Sequence, residues 1–205
     1  MSRFNLILVL ILAALLIFVP TDSAMEEKVQ LEAEITAVIT PTPSPTPATL
    51  PPSLLSIPRI EVEAPIEPVG IDETGKMELP QDINVVGWYS LGYKPGEAGN
   101  AVMAGHLDST TGEGAIFYNL KQVEAGDEII TSDELGKQYK FEVTEKIIYP
   151  YDQVPLEQIF GESSAKKINL ITCTGVWDSA SRNYSQRMII TAELVSVSSF
   201  HSFSR

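Results

Sequence analysis

The chain has 205 residues and a formal net charge of −13, with one cysteine and two histidines. That length allows one domain with a real core plus an extension. The acidic balance excludes nucleic acid as the main partner, because phosphate binding needs a basic face, and the single cysteine excludes an intramolecular disulfide.

At the N-terminus, Arg3 precedes an apolar run from Leu6 to Val19 that Pro20 closes. A basic start and a short apolar stretch match a secretory signal. The run is shorter than the ~20 residues of a full bilayer span. Residues 1–24 therefore read as a signal peptide cleaved at Ala24 or as an uncleaved signal anchor. Asp22 stands where cleavage favours a small residue, which supports the anchor. Both readings put the rest of the chain outside the cytoplasm, and the anchor reading makes it a single-pass membrane protein. Residues 25–53 form an extended stalk. Its core, Thr40-Pro-Thr-Pro-Ser-Pro-Thr-Pro47, has proline at every second position, which removes backbone donors and favours a polyproline rod. The folded domain is expected over 54–197. A polar tail, 198–205, carries His201, an exposed and idle histidine on this reading.

Within the domain, β-branched or alternating runs predict strands at Ile60–Ile66, Ala101–Gly105, Glu128–Ser132, Lys140–Ile148, Ile168–Cys173 and Met188–Val195. Turns punctuate them at Asp72–Gly75, Lys94–Gly96, Glu124–Asp127 and Asp133–Gly136. Helical pattern is confined to Phe117–Leu120 and Leu156–Phe160, each a turn or two. Strands at this spacing predict an all-β barrel or sandwich. No Gly-rich phosphate loop is present, and Gly112–Gly114 reads as a flexible loop.

Three segments carry chemistry. A strand of small residues ends at Gly105, and His106 follows in Ala104-Gly-His106. An apolar strand, Leu170-Ile-Thr-Cys173, ends on the lone thiol, and a loop opens at Gly175 and runs to Gln186. Arg187 then begins a second apolar strand. Each polar residue caps a buried strand, a rigid position that reaches the surface. A thiolate is a strong nucleophile, an imidazole can take and return its proton, and a guanidinium can stabilise the oxyanion of an attacked carbonyl. These three groups suffice for acyl transfer with no metal and no cofactor. Asp108 forms a His-x-Asp pair with His106 that lacks further His or Cys for a metal site, so it reads as a loop residue or a hydrogen-bond support for His106.

The order His, Cys, Arg, with Arg187 fourteen positions after Cys173, resembles the sortases over essentially the whole domain. The resemblance implies a closed β-barrel of about eight strands, with His106, Cys173 and Arg187 catalytic. It also implies a reaction. A sorting signal of the Leu-Pro-x-Thr-Gly kind on surface proteins is cleaved between Thr and Gly through a Cys thioester. The acyl group then passes to the amine of a cell-wall precursor or a pilin-like protein. Thr172 is expected at the substrate groove or in strand packing, and Trp177 and Tyr184 at the groove or in the interior. The loop bearing Trp177, Asp178 and Tyr184 is most similar to the class F and class E branches. Asn169 departs from the family, which often has Thr there. A hydrolase using the same site, and a non-catalytic β-module on a stalk, remain the alternatives.

Overall fold

The computed structural model describes residues 49–199; the expected signal segment, most of the expected stalk and His201 lie outside them. Eight strands close into a barrel: β1 (Pro52–Ile57), β2 (Val62–Val69), β3 (Val86–Tyr89), β4 (Gly99–Ala104), β5 (Glu128–Asp133), β6 (Lys137–Pro150), β7 (Lys166–Asp178) and β8 (Asn183–Ser199). Around the barrel the order is β1-β2-β3-β4-β7-β8-β6-β5, and β5 pairs back with β1. The pairs β2–β3 and β4–β7 are parallel; the others are antiparallel. One short helix, α1 (Leu156–Phe160), lies in the connection from β6 to β7.

The barrel interior follows from period-two patterning. Leu55 and Ile57, Ile168 and Leu170, and Ile190 and Ala192 all point inward, where they meet Met103, Phe117, Ile129 and Phe141. The alternate face of β4, β7 and β8 is also partly covered. Val102, Ile159 and Ile189 form a second cluster there, with Ile171, Tyr149 and Phe160 packed against it. Every residue of β4 is therefore buried, so a run of small and apolar residues can serve as a strand without alternation.

The expected strands are all present, but two short ones carried no readable signal. β1 starts at the second residue of the Pro51-Pro52 pair, and β3 has only four residues. The turns also form. At Asp72–Gly75 the Asp72 carboxylate accepts from the Thr74 hydroxyl at 2.7 Å and from the amides of Thr74 and Lys76. These bonds, the Thr74 hydroxyl foremost, hold its pKa below the usual carboxylate value. The expected loop Thr174–Gln186 is in large part a two-stranded ribbon, because β7 and β8 stay paired as far as Asp178 and Asn183. A bulge between Thr174 and Trp177 breaks the alternation, and the polar run Asp178–Asn183 closes the turn, so the sequence reads as a loop. The stretch around Gly112 is a tight hairpin in which Asp108 bridges Gly114 and the Ser109 amide donates to the Glu113 carbonyl at 2.7 Å.

Asn169 explains its own departure from the family pattern. It is 1 % exposed on the outer face of β7. Its amide donates to Asn100 Oδ1 and to the Ile159 carbonyl, and its carbonyl accepts from Thr191, while Asn100 donates to the Gly161 carbonyl. This network ties β4, β7, β8 and α1 together. Threonine lacks the reach and the second donor for it. Asn169→Ala leaves these partners buried and unpaired, so stability should fall by about 2 kcal/mol, read as a lower urea midpoint, with α1 amides losing hydrogen-exchange protection first.

Candidate active site

Strand register brings the three expected groups together. In the parallel pair, Ala104 lies opposite Ile171, and the ladder continues through a 3.1 Å bond from the Gly105 amide to the Ile171 carbonyl. Two residues beyond that pair stand His106, just past the end of β4, and Cys173, within β7 where its ladder with β4 has run out. Across the antiparallel neighbour, Cys173 pairs with Arg187. All three have the parity of the outer face, in line with Val102, Ile171 and Ile189. Thr172 has the opposite parity. It is 3 % exposed, and its hydroxyl donates to the Gly105 carbonyl at 2.9 Å. It thus joins β7 to the end of β4 and does not line the cleft.

Gly105 is required by a close approach. A Cβ there would stand 2.7 Å from Phe117 Cδ2 and 2.8 Å from Ile116 Cγ2. The Phe117 amide in turn donates to the His106 carbonyl, so the segment after His106 folds back over Gly105.

A cleft of about 580 Å³ opens over this junction, lined by His106, Leu107, Asp108, Ser109, Thr110, Gly112, Cys173, Trp177, Arg182 and Tyr184. His106 and Cys173 share it. The ring Nε2 of His106 lies 2.9 Å from the Pro80 carbonyl, which can only accept. Nε2 therefore carries a hydrogen, and Nδ1 is the nitrogen left for proton transfer. Pro80 sits in the long β2–β3 connection, where no sequence motif marks it.

Cys173 is half-buried, and burial pushes its thiol pKa up; the Arg187 charge opposes this, and the Asp108 carboxylate adds to it. Arg187 does not line the cleft. Its Nη1 donates to the carbonyls of Tyr184 and Gln186, and its Nη2 donates to Asn183 Oδ1 at 2.7 Å. The Nε proton and one Nη2 proton remain outside those bonds. Tyr151 lies beneath the guanidinium, with its ring centroid 6.0 Å from Cζ.

Trp177 and Tyr184 both line the cleft, and neither is interior packing. Trp177 is 50 % exposed and meets Tyr184 edge-on at 5.2 Å between centroids. Asp108 does not bond His106. It accepts a short hydrogen bond from the Tyr184 hydroxyl, which reaches over from β8. That bond, with the neighbouring negative charge, pushes the Tyr184 pKa up to about 12. Pro80, Asn183 and Arg182 are the site residues that sequence patterning did not mark. Arg182 has a positive φ of 50° at the ribbon tip, a turn position with no motif.

A sequence model described as the Sortase domain matches residues 55–195. Among solved structures, the chain is similar to sortase A of Listeria monocytogenes at 19 % identity and a TM-score of 0.56, covering 73 % of this chain and 90 % of that one. Sortase C-1 of Actinomyces oris gives 22 % identity and a TM-score of 0.56 over 85 % and 98 % of the two chains. A Clostridium perfringens sortase D5 transpeptidase gives 20 % identity and 0.54 over 85 % and 95 %. No protein of curated function matches.

Two measurements check this geometry. Gly105→Ala should lower stability and slow alkylation of Cys173, because Phe117 must shift the segment that carries His106; unchanged values would mean that the segment repacks freely. The pH profile of iodoacetamide alkylation should lie on the alkaline side of an ordinary thiol. Arg187→Ala should move it further alkaline and Asp108→Asn should move it back, since the first removes a charge that favours the thiolate and the second removes one that opposes it.

Proposed function

The chain belongs to the sortase family, whose members are cysteine transpeptidases, and we propose that it cleaves a C-terminal sorting signal of the Leu-Pro-x-Thr-Gly kind and transfers the acyl fragment to an amine. The observation that carries this reading is the parallel register of β4 and β7, which ends with His106 beside Cys173 over one cleft. Nδ1 of His106 takes the thiol proton, and the thiolate attacks the Thr carbonyl. The Nε–H of Arg187 and its remaining Nη2–H meet the oxyanion. As the C–N bond breaks, His106 returns its proton to the leaving Gly amine, and a thioester remains on Cys173. An amine from a cell-wall precursor or a pilin-like protein then releases it.

The burial of Cys173 supports this division of labour. A thiol kept neutral at rest needs a base at the moment of attack, and His106 is the base in the cleft. The ribbon carrying Trp177, Asp178 and Tyr184 favours the class F or class E branch. The N-terminal apolar run and Pro-rich stalk would hold the domain outside the membrane, near substrates tethered to the same surface. There, effective concentration replaces part of the affinity.

The test is to incubate the protein with Leu-Pro-x-Thr-Gly-like peptides, with and without amines, and to read products and intact protein by mass spectrometry. An acyl adduct should form on the wild-type chain and be absent from Cys173→Ala; an adduct on the Ala variant overturns the assignment. Arg187→Lys keeps the charge but loses the planar fork, so turnover should fall by roughly 10²-fold. Wild-type turnover in the Lys variant would move the oxyanion donors elsewhere.

A further inference from the structure

The carboxylate of Asp108 stands in the cleft with no role in forming the thioester. It does not bond His106, whose Nε2 is taken by Pro80, and among the described residues it joins no ion pair. One of its oxygens accepts from Tyr184, and no hydrogen bond among the described residues reaches the other. Beside a nucleophilic thiol its charge works against the thiolate. An anion in this position hinders the first half of the reaction, so its use is to be sought in the second.

We propose that Asp108 is the recognition point for the incoming amine, binding it as the ammonium and handing it to His106 for deprotonation, with Tyr184 as the neutral donor that occupies the carboxylate until the ammonium arrives. The inference rests on the transpeptidase reading above. A primary amine is mostly protonated near neutral pH and cannot attack in that form. A carboxylate on the same loop as the base, two residues along, satisfies the ammonium and leaves its nitrogen over the cleft that holds the thioester. One ammonium proton passes to His106 Nδ1. The nitrogen lone pair then forms the new C–N bond, the C–S bond breaks with its electron pair on sulfur, and the second N–H proton goes to that sulfur. The products are an amide, a neutral Cys173 thiol and a protonated His106, which returns its proton to water. Arg182, the other formal charge lining the cleft, sits at the ribbon tip rather than on the His106 loop.

The experiment compares two nucleophiles on the full chain in detergent solution, with a Leu-Pro-x-Thr-Gly peptide as acyl donor at pH 7. Glycinamide is mostly protonated there, and hydroxylamine is uncharged. Product ratios come from mass spectrometry, so each protein is its own control for folding and for thioester supply. Asp108→Asn should lower the preference for glycinamide over hydroxylamine by roughly tenfold, through a higher KM for glycinamide. Tyr184→Phe frees the carboxylate and should lower that KM. An unchanged preference in Asp108→Asn overturns the proposal. So does a matched rise of the glycinamide KM in both variants, because a clasp that merely braces the cleft walls is broken equally by either substitution. If the wild-type chain forms no thioester, seen as unmodified mass on Cys173, the transpeptidase reading fails and this inference fails with it. A thioester captured by both amines without regard to Asp108 sinks the inference alone.

Discussion

Gly105 and Thr172 meet where β4 ends and β7 runs on into the ribbon, and the site depends on that meeting. The Thr172 hydroxyl donates to the Gly105 carbonyl, while the Gly105 amide donates to Ile171. With the two strands locked at this point, the residues that follow have no freedom of register. A one-residue slip would turn Cys173 to the barrel interior and put Thr172 at the surface. Parallel pairing has a further consequence: both strands run toward the same edge, so two chain segments remote in sequence deliver His106 and Cys173 side by side. An antiparallel pair would have put their ends at opposite edges.

The same edge must be open to substrate and firm enough to hold geometry. The barrel meets the second demand by burying β4 on both faces and by fastening α1 to the outer side through Asn169. Asn169 lies four positions before Cys173 on the same face of the strand. A polar residue is tolerated there because each of its hydrogen-bonding groups finds a partner. Stiffness is thus built into the strands and their outer cover, while the cleft itself is bounded by the Asp108 loop and the β7–β8 ribbon.

Much of this was legible in the sequence, for a physical reason. His106, Cys173 and Arg187 each border a stretch whose apolar pattern is strong, so both the stretches and the polar residues at their ends could be read locally. The opposite facing of Thr172 also follows from strand parity alone. What could not be read depends on contacts at long range. The carbonyl of Pro80 sets the tautomer of His106 across 26 residues, from a connection with no motif. The ribbon beyond Gly175 looks like a loop because a bulge interrupts its alternation; Gly175 itself has φ of 88°, and a Cβ there would collide with Ser185. Arg187 was legible as a cation beside the thiol, but its bonds to Asn183 and to two carbonyls of its own strand arise only once the ribbon has formed.

Those bonds give Arg187 its particular character. Three of its five N–H groups are held by the ribbon, which fixes the plane of the guanidinium before any substrate arrives. A donor held in advance needs no reorganisation when charge develops on the attacked carbonyl, and this is where preorganised groups contribute most. Lysine, with one rotatable ammonium, could supply the charge but not the held plane. The thiol gains less from the same residue at rest, since burial outweighs the attraction of the guanidinium and Asp108 adds to the burial. On the proposed mechanism, the arrangement therefore favours the transition state over the resting thiolate. A neutral thiol resists adventitious oxidation and alkylation, and on the proposed mechanism it becomes a nucleophile when a substrate brings its carbonyl between His106, Cys173 and Arg187.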